Sequence, residues 1–228
     1  MAKMLVFDTG PIITLALNNL LWVLPELKKR FQGEFLIPQA VFHELIERPL
    51  TTKKYKLEAL QILPYIHNNT FRCIHDIKIQ QIAHTLSQKM NSLFSHNGHP
   101  ITIVHAGEIE AIACVIAYHA QGLVVDERNT RYLIETPNKL HQRMQKKLHT
   151  TIDTNKSLYK ELQQTLKTVK VMRSIELITV LHEVGTFKTY NSPNITNKQV
   201  LEALLWAMKL QGCAITEKEI GALLKYQA

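Results

Sequence analysis

The stretch from Val104 to Arg131, VHAGEIEAIACVIAYHAQGLVVDERNTR, constrains the fold more than any other part of the chain. Ile109, Ile112, Ala113, Ile116 and Ala117 recur at three- and four-residue spacings, which predicts a helix opened by Gly107 with one buried face and closed by Gly122. Leu123, Val124 and Val125 then form an apolar run without polar alternation, the pattern of a parallel strand covered on both faces. The run stops at Asp126, so a carboxylate is expected at the C-terminal end of a strand, the sheet edge where α/β proteins bind ligands.

The N-terminus repeats this grammar. Met4 to Phe7 reads as a strand ended by Asp8, and Thr9-Gly10-Pro11 leads into a helix near Ile12. Asp8 alone could be only a helix cap; two strands that both end in aspartate argue for a shared site. Glu34 to Ile37 reads as another strand closed by Pro38. It is followed by a short helix, QAVFHELIERP, in which Val41 and Leu45 face inward and Pro49 ends the helix. Glu44 is thereby placed beside the buried face near a strand end. In the helix after Gly107, Glu108 and Glu110 lie about 200° apart, so one of them at most points with the strand-end acids. Glu108, in the first turn, is the better placed, with Glu110 the alternative.

Asp8, Glu44, Glu108 and Asp126 thus come from four segments that a parallel sheet brings to one edge. Crowded carboxylates are costly until a divalent ion neutralises them, and oxygen-only donors suit Mg²⁺ or Mn²⁺. The matching chemistry is phosphodiester hydrolysis, in which a bound ion activates water. An aspartyl-phosphate mechanism is disfavoured, because it wants a second aspartate two residues after Asp8, where Gly10 stands.

Charge narrows the partner. Net charge is +8, and residues 137–173 carry 9 Lys/Arg against 2 Asp/Glu, while the segments before and after are close to balance. Within that stretch Leu140, Met144, Leu148 and Ile152, and then Leu158, Leu162, Leu166 and Val169, predict a helical hairpin. Its exposed sides carry Arg143, Lys146, Lys147, Lys156 and Lys160. Such a basic face fits RNA, although a solvated helical face has the same composition. Cys73, Cys114 and Cys213 lack metal-ligand or disulfide spacing and read as buried thiols. His96 and His99 lack a third ligand nearby. The apolar N-terminal segment is interrupted by Asp8, Pro11, Asn18 and Asn19, so it reads as strand plus helix of a cytoplasmic protein with no membrane association. Two capped helices, Thr196 with Gln199 and Thr216 with Glu219, form the C-terminus. Their apolar positions Val200, Leu201, Leu204, Leu205 and Met208 serve packing or an oligomer surface.

In their order, LVFDTGPII, IPQAVFHEL, GEIEAIACVIA and LVVDERNTR resemble the successive acidic motifs of PIN-domain ribonucleases, especially prokaryotic PIN-like proteins with a GExEAI helix. The resemblance implies an α/β, three-layer PIN-like fold with a central parallel sheet flanked by helices. It spans residues 1–185 with the basic hairpin inserted at about 137–170, and residues 186–228 form a helical extension. It also implies a metal-binding quartet of Asp8, Glu44, Glu108 and Asp126, supported by the Thr9 hydroxyl. Family members commonly carry aspartate where this chain has Glu108. The expected activity is a Mg²⁺- or Mn²⁺-dependent endoribonuclease, in RNA processing or as the toxin of a toxin–antitoxin pair. The partners compatible with it are RNA, a second copy in a homodimer, and an antitoxin-type protein. The alternative is a non-catalytic RNA-binding protein that keeps the fold and uses the basic hairpin.

Overall fold

The computed structural model describes residues 2–226. In chain order the first half comprises β1 (Lys3–Phe7), α1 (Thr9–Leu17), α2 (Val23–Phe31), β2 (Gly33–Pro38) and α3 (Gln39–Phe42). A π-helical turn (His43–Glu47) leads on to α4 (Arg48–Thr51), α5 (Lys56–His67), β3 (Phe71–Ile74) and α6 (Ile77–Asn91). The small strands β4 (Phe94–His96) and β5 (His99–Pro100) precede α7 (Ala106–Tyr118), β6 (Gly122–Val124) and α8 (Arg128–Glu135). The basic segment is α9 (Pro137–Leu148), β7 (Asp153–Thr154) and α10 (Lys156–Leu166). The chain closes with β8 (Val171–Met172), α11 (Ser174–Glu183), a 3₁₀ turn (Lys188–Tyr190), α12 (Asn197–Leu210) and α13 (Glu217–Tyr226).

The central sheet has the order β3-β2-β1-β6-β8, and every pairing in it is parallel. Its strands are apolar because helices cover both faces: Val6, Phe7, Phe35, Leu36, Ile37, Leu123 and Val124 are wholly buried. The register pairs Phe7 with Val124 and Val6 with Leu36. Asp8, Pro38 and Val125 therefore leave the sheet at one level, and the segments that follow them share its C-terminal edge. Helix α1 buries Pro11 through Ala16, which explains why a run this apolar is a core helix. A second, three-stranded antiparallel sheet of order β5-β4-β7 ties the basic segment to the hairpin at His96 and His99. His96 Nδ1 donates to the Thr151 carbonyl at 3.1 Å.

Two details differ from the sequence expectation. Pro49 does not end the helix that carries Glu44. The chain stays helical to Thr51, because the π turn ends just before and Pro49 falls in the first turn of α4, where no intrahelical N–H is required. Nor does Gly122 close α7. The helix ends at His119, which takes the left-handed conformation at φ 49°, and Gly122 instead begins β6, where a Cβ would approach the Lys170 carbonyl to 3.2 Å.

Phe7 is packed between Phe35, at 4.8 Å between ring centroids, and Phe71, at 5.2 Å, so one ring fastens three adjacent strands. Phe7→Ala is expected to lower unfolding free energy by about 3–5 kcal/mol in urea titrations. A loss below about 1 kcal/mol would contradict this packing role.

Candidate active site

The cavity at the C-terminal edge of the sheet has a volume of about 790 Å³. Asp8, Thr9, Glu44, Glu108 and Glu127 line it. Asp8 follows β1 directly. Its N–H donates to the Val124 carbonyl at 3.0 Å, and its carboxylate caps α1 through a long contact from the Gly10 N–H at 3.4 Å. The capping role and the cavity position are therefore held by the same residue, which is only 4% exposed.

Glu44 owes its position to the π turn. Leu45 and Ile46 of that turn are both buried, and Glu44 lines the cavity. The Thr9 hydroxyl donates to Glu44 Oε2 at 2.7 Å. On its other side the Glu44 carboxylate rests against the first turn of α7, where a Cβ on Gly107 would be 2.8 Å from Oε2 and 2.9 Å from Oε1. Gly107 is thus the seat of Glu44. Sequence reading treats it only as the start of a helix.

Glu108 accepts from the His105 N–H at 2.6 Å, closing the first turn of α7 while facing the cavity. Glu110 points elsewhere: its Oε2 accepts from the Ala40 N–H at 2.8 Å and so caps α3. Glu108 lines the cavity and Glu110 does not, in keeping with their angular separation on one helix.

Asp126 has a different setting from the other three acids. It is 2% exposed and does not line the cavity. Oδ1 accepts from the Ser174 N–H at 2.8 Å and from the Cys213 thiol at 3.3 Å, and Oδ2 accepts from the Ser174 hydroxyl at 2.6 Å. The next residue, Glu127, faces the cavity in its place, while its Oε2 caps α8 at the Thr130 N–H, 2.8 Å away. Adjacent residues of an extended segment point to opposite sides, so once Ser174 claims Asp126 the cavity receives Glu127. The DE pair at the strand end is the signal by which Glu127 could have been noticed.

Among the described residues, none of Asp8, Glu44, Glu108 and Glu127 forms an ion pair with Lys, Arg or His. Burial pushes the Asp8 carboxyl up to about 8, and the charges of Glu108 and Glu44 add to the rise against the N–H groups of Thr9 and Gly10. Burial likewise pushes Glu108 up to about 7, aided by Glu127 and Glu44 and opposed by the His105 N–H and by Thr130. Burial also raises Asp126, opposed by its bonds from Ser174 and Cys213. Among the described residues no three His, Cys, Asp or Glu side chains form a ready-made metal-binding group. The donor set nonetheless fits a hard divalent cation: four carboxylates and a hydroxyl, all oxygen, none of the carboxylates paired with a cation.

The cavity is also lined by Arg48, Thr52, Lys54 and Tyr55, none of which the sequence singled out. A second cavity, of about 530 Å³, is lined by Tyr132, Lys139, Gln142, Arg143, Lys146 and Lys147. Arg143 also donates to Asn129 Oδ1 at 3.1 Å, which ties α9 to the start of α8, two residues after Glu127. Lys156 and Lys160, on α10, are exposed but do not line this groove.

A family profile described as a PIN domain matches residues 4–142, more than half of the chain. The chain belongs to the PIN-domain family. No curated protein and no solved structure matches it. PIN domains are generally metal-dependent nucleases. No helix among the described residues is long and apolar enough to cross a membrane.

Two predictions follow the geometry. The folded-state values of Asp8 and Glu108 lie above their ordinary values of 3.8 and 4.5, so the native state binds more protons than the unfolded chain between these limits. Their contribution to stability is fully present below about pH 4 and is lost as pH rises through about 7 to 8. Metal-free protein should therefore show a falling melting temperature between pH 5 and 8.5, and Asp8→Asn should flatten the fall. Gly107→Ala gains up to about 1 kcal/mol of helix propensity but displaces the Glu44 carboxylate, the flexible end of its side chain. The metal-free melting temperature should hold or rise while the shift produced by Mn²⁺ shrinks; an undiminished Mn²⁺ shift would remove Gly107 as the seat of Glu44.

Proposed function

We propose that this PIN domain is a Mg²⁺- or Mn²⁺-dependent endoribonuclease whose cavity acids are Asp8, Glu44, Glu108 and Glu127. The observation that carries this reading is the convergence of four carboxylates without a cationic partner on one cavity at the C-terminal edge of the sheet. Asp8 and Glu108 hold protons at neutral pH that a divalent ion would displace. When bound there, the ion supplies an activated water and charge neutralisation for a phosphodiester. Thr9 holds Glu44 from one side and Gly107 admits it from the other, so its oxygens keep one orientation. Asp126 acts through the backbone: it anchors the end of β6 to α11 and to Cys213, and thereby aims Glu127.

RNA as the substrate is supported by the position of positive charge. The groove of Lys139, Arg143, Lys146 and Lys147 begins one short helix away from Glu127, and α8 of eight residues is only about 12 Å long. These side chains can neutralise phosphates that flank the cleaved bond. A purely RNA-binding role is less well supported, because four cavity carboxylates without metal would repel the phosphates that the groove attracts.

Asp8→Asn and Glu127→Gln should each reduce Mn²⁺-dependent cleavage of total RNA by more than about 100-fold with the fold intact, read by sequencing new 5′ ends. Asp126→Asn places an amide N–H₂ against two or three buried donors. Its expected signature is a loss of about 1–3 kcal/mol in stability with residual cleavage. The roles of 126 and 127 would be exchanged if Asp126→Asn were fully stable and inactive while Glu127→Gln kept activity.

A further inference from the structure

The same cavity that the acids line also carries a group of a different kind. Arg48, Thr52, Lys54 and Tyr55 come from the start of α4 and the short connection to α5, a connection that contains no carboxylate. Tyr55 is 37% exposed and has φ 62°, a left-handed conformation that asparagine and glycine adopt readily and tyrosine rarely does. The turn is held in shape from within. The Thr52 N–H donates to the Pro49 carbonyl at 3.0 Å, the Thr52 hydroxyl contacts the Pro49 and Lys54 carbonyls at 3.3 and 3.2 Å, and the Ala59 N–H donates to the Tyr55 carbonyl at 3.0 Å. This arrangement keeps an aromatic ring at the mouth of an acidic cavity, where apolar burial does not account for it. Lys54 Nζ lies 4.7 Å from the centre of the ring.

We infer that Tyr55 is a stacking platform for an unpaired base adjacent to the scissile phosphate, with Lys54 and Arg48 meeting the backbone phosphates. The inference rests on the nuclease reading of the cavity and adds to it the groups that select an unpaired base. A base can lie flat on a ring only when it is free of a duplex stack, and such stacking tolerates any base because each offers a π face. The paired cation suits the phosphate that accompanies each stacked base. The cation that the acids would hold meets the reacting phosphate, and the ring meets the neighbouring base.

The test uses the full chain with Mn²⁺. A single-stranded oligoribonucleotide and the same strand annealed to its complement are offered as substrates. In parallel, a 2-aminopurine-labelled single strand is titrated into protein carrying Asp8→Asn, so that stacking is read by fluorescence quenching without turnover. Wild type should cleave the single strand at least about 10-fold faster than the duplex. Tyr55→Asn, which suits φ 62°, should keep or raise the melting temperature, raise KM by roughly 5- to 150-fold with little change in kcat, and abolish the quenching. Tyr55→Phe should restore both readouts. Equal cleavage of duplex and single strand, or wild-type KM and quenching in Tyr55→Asn, would overturn the inference. Quenching that depends on Tyr55 in a protein that cleaves neither substrate would uphold the platform and sink the nuclease reading instead.

Discussion

The buried carboxylate of Asp126 joins three parts of the molecule that are far apart in sequence. Through Ser174 it binds the first turn of α11, and through the Cys213 thiol it binds the segment between α12 and α13, 87 residues away in sequence. The same junction is reinforced by the Ala214 N–H, which donates to the Asp126 carbonyl at 3.3 Å, and by Arg131 and Arg173, which both donate to the Ala214 carbonyl at 3.2 Å. Arg173 in turn pairs with Glu176 and with Glu219 of α13. A carboxylate taken out of water at this depth would be expensive alone, and three donors make it tolerable. The C-terminal helices are consequently fastened to the strand end beside the cavity and do not hang from the domain as a separate piece.

That junction fixes the direction of the cavity acids. Asp8 and Asp126 leave neighbouring parallel strands at nearly the same level, with Gly10 between them: a Cβ there would lie 3.6 Å from Asp8 Oδ2 and 3.7 Å from Asp126 Cβ. Two ionised carboxylates at such range in a buried setting would raise each other's cost. The fold gives them different surroundings. Asp126 faces protein donors, and Asp8 faces the cavity with Glu44, Glu108 and Glu127. Burial first, and the neighbouring carboxylates second, hold Asp8 and Glu108 above their ordinary values.

Three local features meet at the same cavity. The π turn carries Glu44, Gly107 leaves space for its carboxylate, and Tyr55, held at positive φ, lines the cavity too. A larger residue at 107 would have displaced the Glu44 oxygens. Deviations of this kind persist where surrounding packing over-determines them, and here Leu45 and Ile46, both buried, do so for the π turn.

Much of the architecture was legible in the chain because it follows from local periodicity. The apolar runs before Asp8 and Asp126 have the length and lack of alternation of covered parallel strands, and α7, α12 and the caps at Thr196 and Thr216 follow helical spacing and capping chemistry. The phase of α7 also separates Glu108 from Glu110, since 200° of helix cannot be bridged by side-chain length. The tertiary structure alone decided which acid of the Asp126-Glu127 pair enters the cavity. Their side chains leave an extended backbone in opposite directions, and the choice depends on Ser174 and Cys213, donors distant in sequence that no periodicity announces. The same is true of Gly107 as the seat of Glu44 and of Tyr55 in the lining of the cavity. Each is a relation between segments brought together by the sheet, whereas a sequence pattern records only what one segment does by itself.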